Sequence, residues 1–322
     1  MSDLTDLVSD VVEDAPPDLW AALETLGLTT IGVPEDIGGS GGSLDDLAEV
    51  VGALAAAGRP TPVAEHATAA RALAATPLRP RLVTIAHRAS TATDGDLRLV
   101  VPWASHASHV MVVPLGEGPV LVADTTAPEL VITPGTDVAG APLDQVDAPV
   151  AAFRTVPDLP ARDVLARLSV LRAVALTAAA GAAYDLTRSH VRTREQFGRP
   201  LVRIPAVATD LARLRVETIQ GRTAVATALE RADDPGAYYT AVAARVVCSR
   251  LATEAARIAH QLHGALGITL EYGLHPLTRL LWALHDADAP EDHWAVELGR
   301  AVVDGGEAVL WDDLTALAAA PS

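Results

Sequence analysis

Arg194-Glu195-Gln196-Phe197-Gly198 and, further along, Gln261-Leu262-His263-Gly264-Ala265-Leu266-Gly267 are the two stretches that decide how this chain folds. Each interrupts a long helical run. The first belongs to a basic cluster with Arg192, Arg199 and Pro200, whose guanidinium groups beside a Gly-Arg-Pro turn form fixed donors suited to phosphate or pyrophosphate. Taken alone, it reads more readily as a solvated basic turn. The second ends a helix on glycine, which lets a ligand approach the backbone, while Gln261 offers both a donor and an acceptor. Taken alone, it is an ordinary helix C-cap.

Outward from these turns the spacing predicts a C-terminal bundle. One Ala-rich helix spans about 165–191, and a second starts at Pro205, a residue suited to the first helical position, and runs to about 231. A third spans about 238–263, a shorter one follows from about 276, and an acidic helical tail begins near 294. Helices of this length with short connections suit an up-down arrangement.

From about 79 to 158 the grammar changes to short β runs at 82–86, 97–101, 109–113, 120–123 and 130–133. Turn residues such as Asp94-Gly95-Asp96 separate them, which reads as an antiparallel sheet or small barrel. Before them, 18–76 carries helical spacing, with Ser43 as an N-cap followed by Asp45 and Asp46 in the first turn. The expected fold is therefore mainly α with a small β domain: a helical domain over 1–78, a truncated middle antiparallel β domain over 79–158, and a helical bundle over 159–322.

Composition narrows the chemistry. All 24 basic residues are arginine, so mechanisms that need a lysine amine are excluded. The 41 acidic residues and a net charge of −17 argue against a nucleic-acid partner. The absence of a long uninterrupted apolar run and of a charged-then-apolar leader leads to an expectation of a cytoplasmic protein without a membrane span. Half the residues are apolar but only 3% are aromatic, which calls for a core of Ala, Leu and Val.

Three further features read as structural. Gly38-Gly39-Ser40-Gly41-Gly42 matches G-x-S-x-G, but it follows a helix and turn rather than a buried strand, so it is read as a flexible glycine loop. Cys248 lies in an apolar helical run and is read as a small buried hydrophobe. His260 and His263 share a helix face without the acidic partners of a metal centre, and no metal is expected.

Together, the two deciding stretches resemble the Arg-x-x-Phe-Gly and Gln-x-x-Gly-Gly-x-Gly turns of acyl-CoA dehydrogenases. Ile268-Thr269-Leu270-Glu271-Tyr272 and Arg279 resemble the family's continuation, as Val33-Pro34-Glu35 with Gly38-Gly39 resembles its N-terminal loop and Val101-Pro102-Trp103-Ala104 its middle domain. The resemblance implies an FAD-dependent enzyme that removes the α-proton of an acyl-CoA with a carboxylate while the β-hydrogen leaves as hydride to the flavin. An electron-transfer acceptor would then reoxidise the flavin. By the same correspondence Arg194, Gln196, Phe197, Gln261, Gly264 and Ala265 would touch FAD held mainly by a neighbouring subunit.

The departures point the same way. The segment before Asp96 is too short for the usual middle-domain strands, and no Thr-Glu-Pro-x-x-Gly-Ser-Asp-like stretch is present for the flavin ring. Ile204-Pro205 replaces the usual Phe-Gln. Asp288 falls where many relatives have the catalytic base; the alternative base position falls near Leu168, which cannot take a proton. Asp286, Glu291 and Asp292 around Asp288 suggest a solvated acidic loop instead. The expectation is a shortened subunit of an α2β2 dehydrogenase, of the kind the resemblance associates with actinobacterial steroid side-chain breakdown. An acyl-CoA dehydrogenase-like partner would supply the ring site and the base. A homomeric enzyme using Asp288 and a flavin-free helical scaffold are the alternatives.

Overall fold

A computed structural model of the chain describes residues 3–14, 16–78, 81–88, 95–234, 236–269 and 272–319, with side chains described up to 306. Arg79, Asp94, Leu270 and Glu271, each used above, lie outside the described residues. Four helices open the chain: α1 (Asp3–Glu13), α2 (Leu19–Thr25), α3 (Leu44–Ala56) and α4 (Val63–Ala72). Ser43 caps α3 as expected, and Asp46 returns the bond to the Ser43 N–H at 2.7 Å, completing a capping box. The glycine stretch before it is tied down by backbone and side-chain contacts. A bridge between Val33 and Gly41 closes it, and Ser40 Oγ is spent on Gly27 O at 2.6 Å and Thr30 Oγ1 at 2.9 Å. A Cβ at Gly39 would sit 2.2 Å from the Val33 carbonyl oxygen, which is why glycine stands there.

Seven strands follow among the described residues: β1 (Val83–Arg88), β2 (Asp96–Pro102), β3 (His109–Pro114), β4 (Leu121–Asp124), β5 (Val131–Thr133), β6 (Leu143–Pro149) and β7 (Arg154–Thr155). They form two sheets, ordered β1-β3-β4-β7 and β2-β6-β5. All pairings are antiparallel except β1 with β3, which runs parallel, with Val83 opposite His109. That corrects a purely antiparallel expectation. Its reason is that the first sheet is covered on both faces, the usual setting for parallel pairing. Val83, Ile85, Met111 and Val113 join the core shared with the helices, while Ala86, Val110 and Val112 pack against Leu97, Leu99 and Val146 of the second sheet. β6 escaped the sequence reading because its apolar residues alternate with Asp144, Gln145 and Asp147.

The C-terminal half holds α5 (Ala161–Thr193), a two-strand hairpin of β8 (Glu195–Gln196) and β9 (Arg199–Pro200), α6 (Pro205–Glu230), α7 (Ala237–His263), α8 (Leu274–Asp286) and α9 (Glu291–Ala319). α5 and α7 run parallel, since Thr177 lies 3.0 Å from Cys248 and His190 stacks on His263 at 4.4 Å. α6 runs antiparallel between them, with Arg215 over the ring of Tyr184 and Gly221 facing Thr177 and Leu251. α8 returns along α7, so the four make an up-down bundle. By length and composition α5 could cross a membrane, but 83% of that stretch is buried inside the fold, as in a core helix. Cys248 is fully buried, and burial pushes its thiol up to about 11.

Candidate functional site

The parallel run of α5 and α7 brings their C-terminal ends, and hence both sequence-predicted turns, to one end of the bundle. The His190–His263 stack joins them, with Tyr272 tilted against His263 at 5.2 Å. His263 is thus a packing residue whose Nδ1 is engaged by the Ala259 carbonyl at 2.8 Å. At the first turn Arg194 ends α5, its N–H bonded to His190 O, and its carbonyl accepts from Leu201 N. Phe197 and Gly198 then make a two-residue hairpin loop with φ of 53° and 75°. Positive φ at both positions fits a loop between right-twisted strands but strains a bulky residue such as Phe197.

The Phe197 side chain is 87% exposed. Among the described residues, no ring or cation–π contact accounts for this strained, exposed aromatic side chain. Arg194 and Gln196 are also exposed, and neither side chain makes a hydrogen bond among the described residues. On the second turn Gln261, Gly264 and Ala265 are exposed. Gly264 adopts φ 59°, ψ −141°, a conformation open in practice only to glycine. Leu266 and Ile268 beside it are 42% and 66% exposed. This end of the molecule therefore presents unpaired donors, free backbone and bare apolar side chains together.

Asp288 lies at the opposite end. Arg172 and Arg194 are separated by 22 residues of one helix, about 33 Å at 1.5 Å per residue. The carboxylate is not in a solvated acidic loop, because its side chain is only 6% exposed. It meets Arg172 Nε at 3.0 Å and Arg172 Nη2 at 3.1 Å, and Arg245 Nη1 lies 3.7 Å away. Arg172 Nη2 also reaches Glu65 Oε1 at 2.7 Å, and His87 Nε2 approaches Asp288 Oδ1 at 3.3 Å without hydrogen-bond alignment.

Burial on its own would raise the Asp288 carboxyl. Arg172, His87 and Arg245 outweigh it and hold the group well below the carboxylate range. Burial likewise lowers the Arg245 guanidinium to about 10, with Arg172 adding to the effect and Asp288 opposing it. Asp286, Asp292 and Glu291 do not share this environment: the side chain of Asp286 is 71% exposed beside His285, and Glu291 pairs with Arg250 on the surface. Sequence reading missed Glu65, His87, Arg172 and Arg245. The available signal was a charge within an apolar helical face, as at Arg172 between Leu168, Leu171, Ala175 and Leu176.

This buried network floors a cavity of about 700 Å³ where α3, α4, β1, β2, α5 and α8 meet. Leu168, at the alternative base position, packs in the core at 2% exposure. Among the described residues no cluster of three or more His, Cys, Asp or Glu is placed to hold a metal ion.

Comparison with known proteins follows this geometry. The acyl-CoA dehydrogenase N-terminal domain model matches residues 4–79, and the acyl-CoA dehydrogenase C-terminal domain model matches residues 162–283. The chain is 32% identical to acyl-CoA dehydrogenase FadE34 of Mycobacterium tuberculosis over 82% of its own length, yet spans only 39% of that protein. It is 30% identical to acyl-CoA dehydrogenase IpdE2 of the same organism, over 80% of this chain and 78% of that one. The fold superposes on a chain of the ChsE4-ChsE5 complex from Mycobacterium tuberculosis with a TM-score of 0.80, at 18% identity, covering 99% of this chain and 97% of that one. Turns, bundle, β sheets and matches agree, and the chain belongs to the acyl-CoA dehydrogenase family, whose members are flavin-dependent oxidoreductases acting on CH–CH bonds.

Proposed function

We propose that this chain is the accessory subunit of a hetero-oligomeric acyl-CoA dehydrogenase, most simply α2β2 and cytoplasmic, and that its two turns close the tail site of FAD held mainly by the partner. The observation that carries this reading is Phe197, strained at φ 53° and 87% exposed between the free donors Arg194 and Gln196. A partner that buries the ring and accepts those donors supplies the stabilisation that offsets the strain. The donors suit a pyrophosphate: Arg194 gives charge-assisted bonds, Gln196 and Gln261 give amides, and Gly264 and Ala265 give an open backbone. The FAD these residues would help to hold would supply the hydride acceptor for the acyl β-carbon.

Distance supports the assignment. The turns lie about 33 Å along the bundle from Asp288, so one flavin cannot join both ends of a single chain in a catalytic arrangement. Asp288, held ionised by two arginines, is a weak proton acceptor, which disfavours a homomeric enzyme that uses it as the base. That FadE34 is more than twice the length this chain matches is consistent with a relative that carries additional subunit-sized sequence in one polypeptide. We read the division into 1–78, 79–158 and 159–322 as the three units that serve this role.

Co-expression with an acyl-CoA dehydrogenase-like partner tests the reading. The single chain is expected to be colourless, and the co-purified complex yellow and able to reduce an artificial electron acceptor with an acyl-CoA. Arg194→Ala in that complex should lower the bound FAD at least tenfold. Yellow, active protein from the single chain would restore the homomeric reading; a colourless complex would leave a scaffold.

A further inference from the structure

Arg167, on the second turn of α5, is a half-buried cation without a counter-ion. Its Nε and Nη2 are shut off from solvent and meet no acceptor among the described residues, whereas buried polar nitrogens are almost always bonded. The carboxylate that acts on it, Asp233 between α6 and α7, is exposed and forms no ion pair with it. Further along the same helix the contrast is sharp, because Arg172 is met by both Glu65 and Asp288. A second cation enlarges the deficit. Arg71, exposed in the last turn of α4, donates Nη1 to the Gly32 carbonyl at 3.2 Å, and a Cβ built on Gly32 would stand 2.5 Å from Arg167 Nη2. Both guanidinium groups therefore converge on one glycine, and neither enters an ion pair among the described residues.

Burial lowers the Arg167 guanidinium to about 10, with Arg71 adding to the effect and Asp233 opposing it, so the pair still carries two charges at neutral pH. Two like charges held together with part of their water removed are unfavourable unless an anion joins them. The chain has 41 carboxylates against 24 arginines, yet pairs none of them with these two, which leaves the neutralising charge to come from outside. Guanidinium groups only donate, so the ligand must be an acceptor. A tetrahedral dianion has enough oxygens to take an N–H from each fork and enough charge to balance both, which a chloride ion or a neutral molecule has not.

We propose that Arg71 and Arg167 form a binding site for a phosphate-class oxyanion, seated on the open edge of the two guanidinium groups beside Gly32, where it ties the Gly32 loop to α4 and α5. Neither arginine lines the 700 Å³ cavity, and 27 residues of α5, about 40 Å, separate Arg167 from Arg194, so the site is independent of the accessory-subunit reading. Inorganic phosphate titrated calorimetrically into the full chain, at constant ionic strength set with chloride, tests it. Saturable binding of one phosphate per chain to this site is expected, with a melting temperature that rises with phosphate and not with chloride. Arg167→Met keeps the aliphatic stem and removes the charge. It should abolish that binding and leave the phosphate-free chain at least as stable as the unaltered one. Arg71→Met should weaken phosphate at least tenfold, and Asp233→Asn should tighten it, because the carboxylate repels the ion. Glycerol 3-phosphate as a second titrant separates the sources: weaker binding than phosphate identifies a free ion and tighter binding a phosphate ester, and either supports the site. Absence of saturable phosphate binding, or an affinity unchanged in folded Arg167→Met or Arg71→Met, would overturn the proposal. If Arg167→Met does not fold, the exposed Arg71→Met still decides.

Discussion

His66 shows how one buried side chain ties the first helices to the β sheet. Its Nδ1 accepts the Val83 N–H at 3.1 Å, and Trp20 packs edge-on at 5.3 Å, so the ring is needed neutral. Burial lowers its pKa from 6.5 to about 4. The folded state therefore resists a proton that the unfolded chain takes up readily. The stability this site contributes is fully present above about pH 6.5 and is lost as pH falls toward 4, a loss of about 3 kcal/mol at 1.36 kcal/mol per unit. His66→Asn, which keeps an acceptor near Val83, should remove that part of the slope in unfolding experiments between pH 4 and 7. An unchanged slope would place the acid sensitivity elsewhere.

At the scale of an element, the β8-β9 hairpin stores strain, which on the proposed reading contact with a partner offsets. The loop places Phe197 at φ 53°, where a residue with a side chain costs of the order of 1–3 kcal/mol and glycine almost nothing. Phe197→Gly should therefore raise the stability of the isolated chain by about 1 kcal/mol while weakening its complex with the partner at least tenfold. Chemical denaturation of the single chain and sedimentation of the complex measure the two effects separately. A complex of unchanged affinity would show that the exposed ring is not an interface residue. The sequence displayed the turn, because its Phe-Gly loop is local, but not the two short strands that flank it. It did not display the His190–His263 stack that sets the hairpin beside the second turn, because that contact depends on α5 and α7 running parallel.

For the whole molecule, the buried ion network is the joint. Glu65 comes from α4, His87 from β1, Arg172 from α5, Arg245 from α7 and Asp288 from the loop after α8. Arg245 also donates to the Leu284 and Ala287 carbonyls, which fixes the end of α8. Removing one charge leaves its partners buried and unbalanced, at a typical cost of 3–5 kcal/mol. Asp288→Asn is thus expected to destabilise the chain by about that amount, measured by denaturant midpoint, and to loosen the α8–α9 junction in hydrogen exchange. A change below about 1 kcal/mol would mean that the network holds nothing together.

The sequence by itself determined the helical bundle, the five β runs it named, the Ser43 cap, and the two turns with their family. Each of these rests on periodicity or short-range spacing, which one strand of text contains. Only the tertiary structure decided the fate of Asp288: Asp286 and Asp292 face water and Glu291 pairs with Arg250, while the neighbours of Asp288 in space are Arg172 and Arg245. The parallel pairing of β1 with β3, the cavity above Glu65 and His87, and the distance between that cavity and the turns were settled in the same way. Burial and long-range pairing set these features, and neither is encoded within the reach of a helical turn.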